Sequence, residues 1–245
     1  MTGNVITSFS RYEAKFFLTP QQHSQLMELL RPHLSVDEYG KHTISNIYYD
    51  TDQFDLIRAS IEKPVYKEKL RVRAYGKPDP ETGTLFIELK KKFRHIVYKR
   101  RIVVTPPEAR AFLDDGQAPA HADPQITGEI AHFMQFHRPK PKVYLSYERV
   151  AMFSNEDPEL RITFDTNLLW RETELDLCAG SYGTPLFPDE RVLMEIKVPG
   201  AMPLWLAHGL SQLGVFRTSF SKIGTCYTSF ILPKIFTERV VNPHV

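Results

Sequence analysis

The sequence predicts an α+β fold in which antiparallel strands make most of the framework and a few amphipathic helices cover them. Segment after segment alternates apolar and charged residues with the two-residue period of an extended strand, most clearly in residues 69–76, 85–90 and 191–198. Proline-led helix starts carrying apolar stripes lie between these segments. The charged sides of the strands are dominated by arginine and lysine with a few glutamates. An ordinary solvated sheet face would instead mix in many Ser, Thr and Gln.

Taken in order, residues 9–18 read as a strand, with Arg11, Glu13 and Lys15 on one face and Tyr12, Ala14 and Phe16 on the other. Thr19, Pro20 and Gln22 form a helix start: a side-chain cap, a proline at the first position and a glutamine reaching back. That helix is expected to bury Leu26, Leu29 and Leu30 and to end by Pro32. Residues 42–50 are rich in β-branched and aromatic side chains and read as a strand. Thr51 is expected to cap a short helix through Phe54, Ile57 and Ile61.

The hairpin that follows is the most telling stretch. Leu70, Val72 and Ala74 share one face, and Lys69, Arg71, Arg73 and Tyr75 share the other. In the partner strand Leu85, Ile87 and Leu89 oppose Phe86, Glu88 and Lys90. The connection, residues 76–83, is full of turn residues. Arg94 and His95 turn the chain into a strand over 96–104, where the run Lys99, Arg100, Arg101 leaves the facing register open.

Helices are expected over 106–113 and 124–136, the second starting at Asp123 and Pro124 with an apolar stripe of Ile126, Ile130, Phe133 and Met134. A strand over 142–152 puts Tyr147 and Arg149 on one face. The next, 160–164, separates Arg161 and Thr163 from Leu160, Ile162 and Phe164, and Asp165 continues the charged side. Residues 191–198 set Val192, Met194, Ile196 and Val198 against Leu193, Glu195 and Lys197. Pro203 opens a helix carrying Leu204, Leu206, Leu210 and Leu213, closed by Gly214. Residues 218–224 then lead into a short apolar helix and a tail over 242–245. No internal repeat, low-complexity tract or linker interrupts the chain, so one domain over 1–245 is expected.

Composition bounds the function. The 31 basic and 29 acidic residues nearly cancel to a net charge of +2, so any electrostatic reading rests on where charges sit. Cys178 and Cys226 supply neither a disulfide framework nor a metal knuckle. Histidines such as His42 and His95 are scattered without ligand spacing. The first residues hold no long apolar run and no segment is long enough to cross a bilayer, so a soluble, cytoplasmic protein is expected. No groove-reading motif accompanies the basic faces, and nucleic acid is not expected as a partner.

Arginines at alternate positions on several strands repel one another unless an anion neutralises them. They can face bulk water or the lumen of a closed barrel, and the pattern alone leaves both open. A concave basic lumen attracts a polyanion. Arginine suits phosphate because its planar fork donates two parallel hydrogen bonds, and lysine adds a compact charge. Glu195 belongs beside a phosphate only with a divalent cation between them, and magnesium and manganese prefer such oxygens.

These residues also carry a resemblance. Arg11-Tyr12-Glu13-Ala14-Lys15, Lys69-Leu70-Arg71-Val72-Arg73, Glu88-Leu89-Lys90, Tyr147-Glu148-Arg149, Leu160-Arg161-Ile162, Glu195-Ile196-Lys197 and Ser221-Lys222 occur in this order. The set resembles the polyphosphate polymerase domain of the vacuolar transporter chaperone (VTC) family, among the triphosphate tunnel metalloenzymes related to the CYTH proteins.

The resemblance implies a closed antiparallel barrel of about eight strands forming a basic tunnel, with helices outside. It implies transfer of the terminal phosphoryl group of ATP to inorganic polyphosphate or pyrophosphate, with manganese or magnesium. It casts Arg71, Arg73, Lys90, Arg149, Arg161 and Lys222 as catalytic. Lys15, Lys99, Tyr147, Lys197 and Ser221 would bind substrate, and Glu195 would hold the metal. CYTH hydrolases and cyclases resemble one another in an N-terminal Glu-x-Glu-x-Lys, whereas this chain has Arg11-x-Glu13-x-Lys15, which leans toward the polymerase branch. Ser219 stands where a basic residue would strengthen a polymer exit. A metal-dependent triphosphatase and a non-catalytic polyphosphate-binding module stay open as alternatives, as does a membrane partner that collects the product.

Overall fold

The computed structural model describes residues 12–94, 96–157 and 159–241. In chain order these form β1 (Tyr12–Leu18), α1 (Pro20–Leu30), β2 (Leu34–Val36), β3 (His42–Asp50), α2 (Asp55–Ile61), β4 (Tyr66–Tyr75), β5 (Leu85–Phe93) and β6 (Ile96–Val104). Next come α3 (Pro106–Asp115), α4 (Pro124–His137), β7 (Lys140–Ser154), β8 (Arg161–Arg171), β9 (Thr184–Pro185) and β10 (Val192–Val198). The chain continues through α5 (Leu204–Gln212), β11 (Arg217–Thr218) and α6 (Lys222–Cys226), a π-helical turn over Tyr227–Ile231, and α7 (Leu232–Val241). Arg11, His95 and the tail over 242–245 lie outside the described residues.

The chain divides into two compact units: 1–42 with 148–167 and 187–220, and 43–147 with 168–186 and 221–245. In the first, β1 pairs antiparallel with β10 from Tyr12↔Val198 to Leu18↔Val192, and β10 pairs with β8. Ala14, Phe16, Leu18, Ile162, Phe164, Val192, Met194 and Ile196 are buried together beneath Leu26 and Leu30 of α1 and Leu206 and Leu210 of α5. The alternation is thus cashed as one apolar face under two helices and one charged face. Thr19 and Gln22 form the expected capping box. Leu204, expected on the buried stripe of α5, is instead exposed at its first turn.

In the second unit β3, β4, β5 and β6 pair in sequence. Leu70, Val72, Ala74, Ile87, Leu89, Ile102 and Val104 form its core, closed by Ala109 and Phe112 of α3 and Ile130 and Phe133 of α4. The start of α2 differs from expectation. Phe54 takes a left-handed conformation (φ 58°) and the helix begins at Asp55. Asp50 accepts the backbone N–H groups of Leu56 (2.9 Å) and Ile57 (3.0 Å), while Thr51 accepts that of Asp55 (3.0 Å). Two residues therefore share the capping work that one was expected to do.

The closed barrel is corrected to an open sheet. The hydrogen-bonded order is β11-β1-β10-β8-β7-β3-β4-β5-β6, with β2 on β7 and β9 on β8, and no described pairing joins the two ends. Closing a sheet into a barrel requires its two outermost strands to pair with each other. β11 offers only the two residues Arg217–Thr218. No described helix is long and apolar enough to cross a membrane.

Ile87 is fully buried in the second core. Ile87→Ala is expected to cost about 2–5 kcal/mol, read as a lower urea midpoint with an unchanged slope.

Candidate functional site

The face of β4–β5–β6 opposite the second core is built by register. Tyr48 on β3 sits across from Arg71, Arg71 from Glu88, and Glu88 from Arg101. In the adjacent rows Asn46 faces Arg73, and Lys69, Lys90 and Lys99 follow one another across three strands. Because side chains alternate, packing Ile102 and Val104 inward to the core forces Lys99 and Arg101 onto the charged face. Arg100 points the other way and donates to Glu129 of α4 (3.1 Å). The register left open by the sequence is therefore resolved with Lys99 on the charged face.

Glu88 is the centre of this face, with 1% of its side chain exposed. Arg71 donates to Oε2 from Nε (2.8 Å) and Nη2 (2.6 Å). Oε1 receives Lys99 Nζ (2.7 Å) and Arg101 Nε (2.7 Å). Arg73 Nε lies 3.9 Å from Oε2 and donates to Asn46 Oδ1 at 2.9 Å. Burial favours a neutral Glu88, but Arg71, Arg73 and Lys99 outweigh it and hold the carboxyl well below the usual range. Four cations therefore stand against one carboxylate, an excess of three positive charges.

Tyr48 registers that excess. Burial opposes its ionisation, yet Arg71, which donates to its hydroxyl at 3.2 Å, together with Arg73 and Lys69, brings its pKa down to about 8. Tyr147 accepts from Arg73 Nη2 at 3.4 Å, and Lys222 Nζ sits 4.4 Å from the centre of the Tyr147 ring. Ser221 caps α6 by accepting the Gly224 N–H at 3.2 Å, which leaves its own O–H to donate. Of the expected set, the second unit thus brings together Arg71, Arg73, Lys90, Lys99, Tyr147 and Lys222, with Ser221 at the start of the helix that carries Lys222.

The first unit holds the others. Lys15 faces Glu195 and Glu195 faces Thr163, while Glu13, Lys197 and Arg161 form the neighbouring row. Lys197 Nζ lies 2.8 Å from Glu195 Oε1, and Lys15 Nζ donates to the Phe220 carbonyl at 3.1 Å. Arg149 donates twice to Asp165, at 2.6 and 2.8 Å, and Asp165 is buried. Arg149 is thus oriented by a carboxylate, as Arg71 is by Glu88.

The described residues assemble no cluster of three or more His, Cys, Asp or Glu side chains that could hold a metal alone. Glu195 offers one hard oxygen ligand, and the neighbouring Thr163 Oγ1 is buried without a hydrogen-bond partner. A single carboxylate with a waiting hydroxyl fits magnesium or manganese that keeps its waters and shares phosphate oxygens, and does not fit an all-protein cage.

Glu88, Arg101, Tyr48, Asn46, Asp165 and Thr163 are site residues that sequence reasoning left unassigned. Parity could have exposed Tyr48 and Asn46. For Arg101 the continuous apolar run Ile102-Val103-Val104 erased the signal.

The fold has counterparts among solved structures. A candidate adenylate cyclase of Bacillus halodurans superimposes with a TM-score of 0.52 at 15% identity, covering 85% of this chain and 92% of that one. A second, from Vibrio parahaemolyticus, gives 0.48 at 15% identity over 89% and 97%. The family model for the VTC domain matches residues 10–231, and the chain belongs to that family. It is 25% identical over 244 residues to vacuolar transporter chaperone complex subunit 4 of Schizosaccharomyces pombe, covering 80% of this chain and 33% of that protein. It therefore spans about a third of that relative's length.

Removing the central counterion should expose the repulsion it holds in check. Glu88→Gln is expected to lower the stability of the ligand-free protein by about 3 kcal/mol, with tripolyphosphate restoring more stability than it adds to the wild type. Differential scanning calorimetry with and without the anion reads both. Tyr48 gives a pH signature. Its folded pKa lies below the usual tyrosine value, so folding gains stability as pH rises from about 8 toward the usual range. Over the same window the new negative charge would compete with a phosphate ligand for Arg71. Tripolyphosphate affinity by calorimetric titration should therefore fall above pH 8, and Tyr48→Phe should flatten that fall.

Proposed function

We propose that the chain is a metal-dependent polyphosphate polymerase, transferring the terminal phosphoryl group of ATP to a growing inorganic polyphosphate chain. The observation that carries this reading is the excess of positive charge fixed around buried Glu88. Membership of the VTC-domain family and Arg11 in place of a first carboxylate favour a polymerase over a hydrolase.

Phosphoryl transfer requires positioning and charge neutralisation more than a nucleophilic side chain. Arg71, Arg73, Lys99 and Arg101 donate to the non-bridging oxygens of the transferring group, where charge spreads in the transition state. Lys90, Lys222 and Tyr147 extend that set. The first unit carries a basic face of its own, where Lys15, Arg149, Arg161 and Lys197 would bind phosphate oxygens and Glu195 with Thr163 would hold a divalent cation. Manganese or magnesium, when bound, supplies further neutralisation of phosphate oxygens.

An oxygen of the acceptor's terminal phosphate forms the new bond to the γ-phosphorus. The bond from that phosphorus to the β–γ bridging oxygen breaks, and its electron pair leaves with ADP. The acceptor oxygen is already anionic near neutral pH, so no general base is assigned. The reading places the protein in the cytoplasm, with ATP and polyphosphate or pyrophosphate as its partners.

Incubation with ATP radiolabelled at the γ-position and manganese tests it. Label is expected in acid-insoluble polymer that resists phosphatase, and Glu195→Gln should reduce it to background with the fold intact by circular dichroism. Label only in free phosphate would make the protein a hydrolase. Tight binding with neither product would make it a binding module.

A further inference from the structure

One end of the second unit carries a surface that the phosphate chemistry does not use. The start of β4, the end of β5 and the start of β6 meet there, with Tyr66 across from Phe93 and Phe93 across from Ile96. These three continue the core face of the sheet. One row further in, on the same face, Glu68 meets His137 (3.3 Å) and Lys91 meets Glu129 (2.9 Å), both on α4. Beyond that row the sheet outruns its covering helix. Solvated positions would ordinarily be polar, yet Tyr66 is 46% exposed, Phe93 43% and Ile96 54%, with Val65, Val97 and Tyr98 exposed beside them.

The rim is basic. Lys67 and Lys92 face each other on the opposite side of the same strands. Lys63 and Arg94 take left-handed conformations (φ 55° and 44°) at either side of the tip, and the Arg94 guanidinium lies 5.5 Å from the Phe93 ring centre. Burial lowers the Lys67 pKa, and repulsion from Lys92, Lys63 and Lys90 lowers it further, a sign of crowded positive charge.

We infer that this tip docks on an anionic lipid surface, Tyr66, Phe93 and Ile96 entering the headgroup region while Lys63 and Arg94 meet the acidic headgroups. Amphipathic aromatic rings settle at that depth, and each nearby lysine or arginine adds attraction to acidic lipid. A free phosphate chain would use the bases but has no use for exposed Phe93 and Ile96. A second copy would set one basic rim against another. The lipid surface satisfies both halves of the patch, and this inference stands independently of the proposed catalytic reading.

The test is flotation of the full chain with phosphatidylcholine vesicles, with and without about 30% phosphatidylserine. Binding is expected to the acidic vesicles and to weaken as salt rises. A Phe93→Ser, Ile96→Ser double variant and a Lys63→Glu, Arg94→Glu double variant should each bind about tenfold more weakly, with wild-type melting and tripolyphosphate affinity. Absence of binding to acidic vesicles, or undiminished binding by both variants, would overturn the inference. So would concentration-dependent dimerisation by light scattering that the Phe93→Ser, Ile96→Ser variant abolishes, which would assign the patch to a second copy.

Discussion

Burying one carboxylate among several cations is the constraint on which the second unit's charged face depends. Arg71 on β4 and Lys99 and Arg101 on β6 flank Glu88 on β5 at register positions where, without it, they would repel. Glu88 occupies both of its oxygens with them and fixes their directions, at the cost of its own desolvation. The result is a cradle whose donors are already aimed and whose charge is only partly compensated. Such a surface favours a ligand with several anionic oxygens over one with a single charge. It is also preorganised, because the arginines need not be gathered when the ligand arrives.

The same logic organises the other unit on a smaller scale. Asp165 on β8 orients Arg149 on β7, and Glu195 on β10 faces Lys15 on β1 while pairing with Lys197 along its own strand, so cation and carboxylate are again set side by side. Both faces rest on a packed apolar side. Leu70, Val72, Ile87 and Leu89 fix β4 and β5 in one unit; Ile162, Met194 and Ile196 fix β8 and β10 in the other. A slip of one residue in any of these strands would bury arginines and expose the core. Core packing is therefore what holds the charged side chains in register.

Much of this was legible in the sequence because period-two alternation is a strong signal where one face is purely apolar. The strands at 42–50 and 96–104, the hairpin and the capped start of α1 emerge as read. The signal weakened where both parities were apolar or both basic, as in Lys99-Arg100-Arg101 and Ile102-Val103-Val104. There tertiary contact made the choice, Ile102 and Val104 packing into the core and Arg100 reaching Glu129. Barrel closure was not legible because it depends on edge lengths, and β11 proves too short to supply one. Nor could local sequence show that Glu88 is ringed by cations from two neighbouring strands, or that the Thr163 hydroxyl is left without a partner.

The central claim is that the Glu88-centred cluster is a cradle for phosphate oxygens. A crystal structure with a non-hydrolysable nucleoside triphosphate and manganese tests it most directly. The account predicts phosphate oxygens within hydrogen-bond distance of Arg71, Arg73 and Lys99, with Glu88 still holding Arg101. Phosphates bound elsewhere, with those side chains unmoved and closed on Glu88 alone, would contradict it.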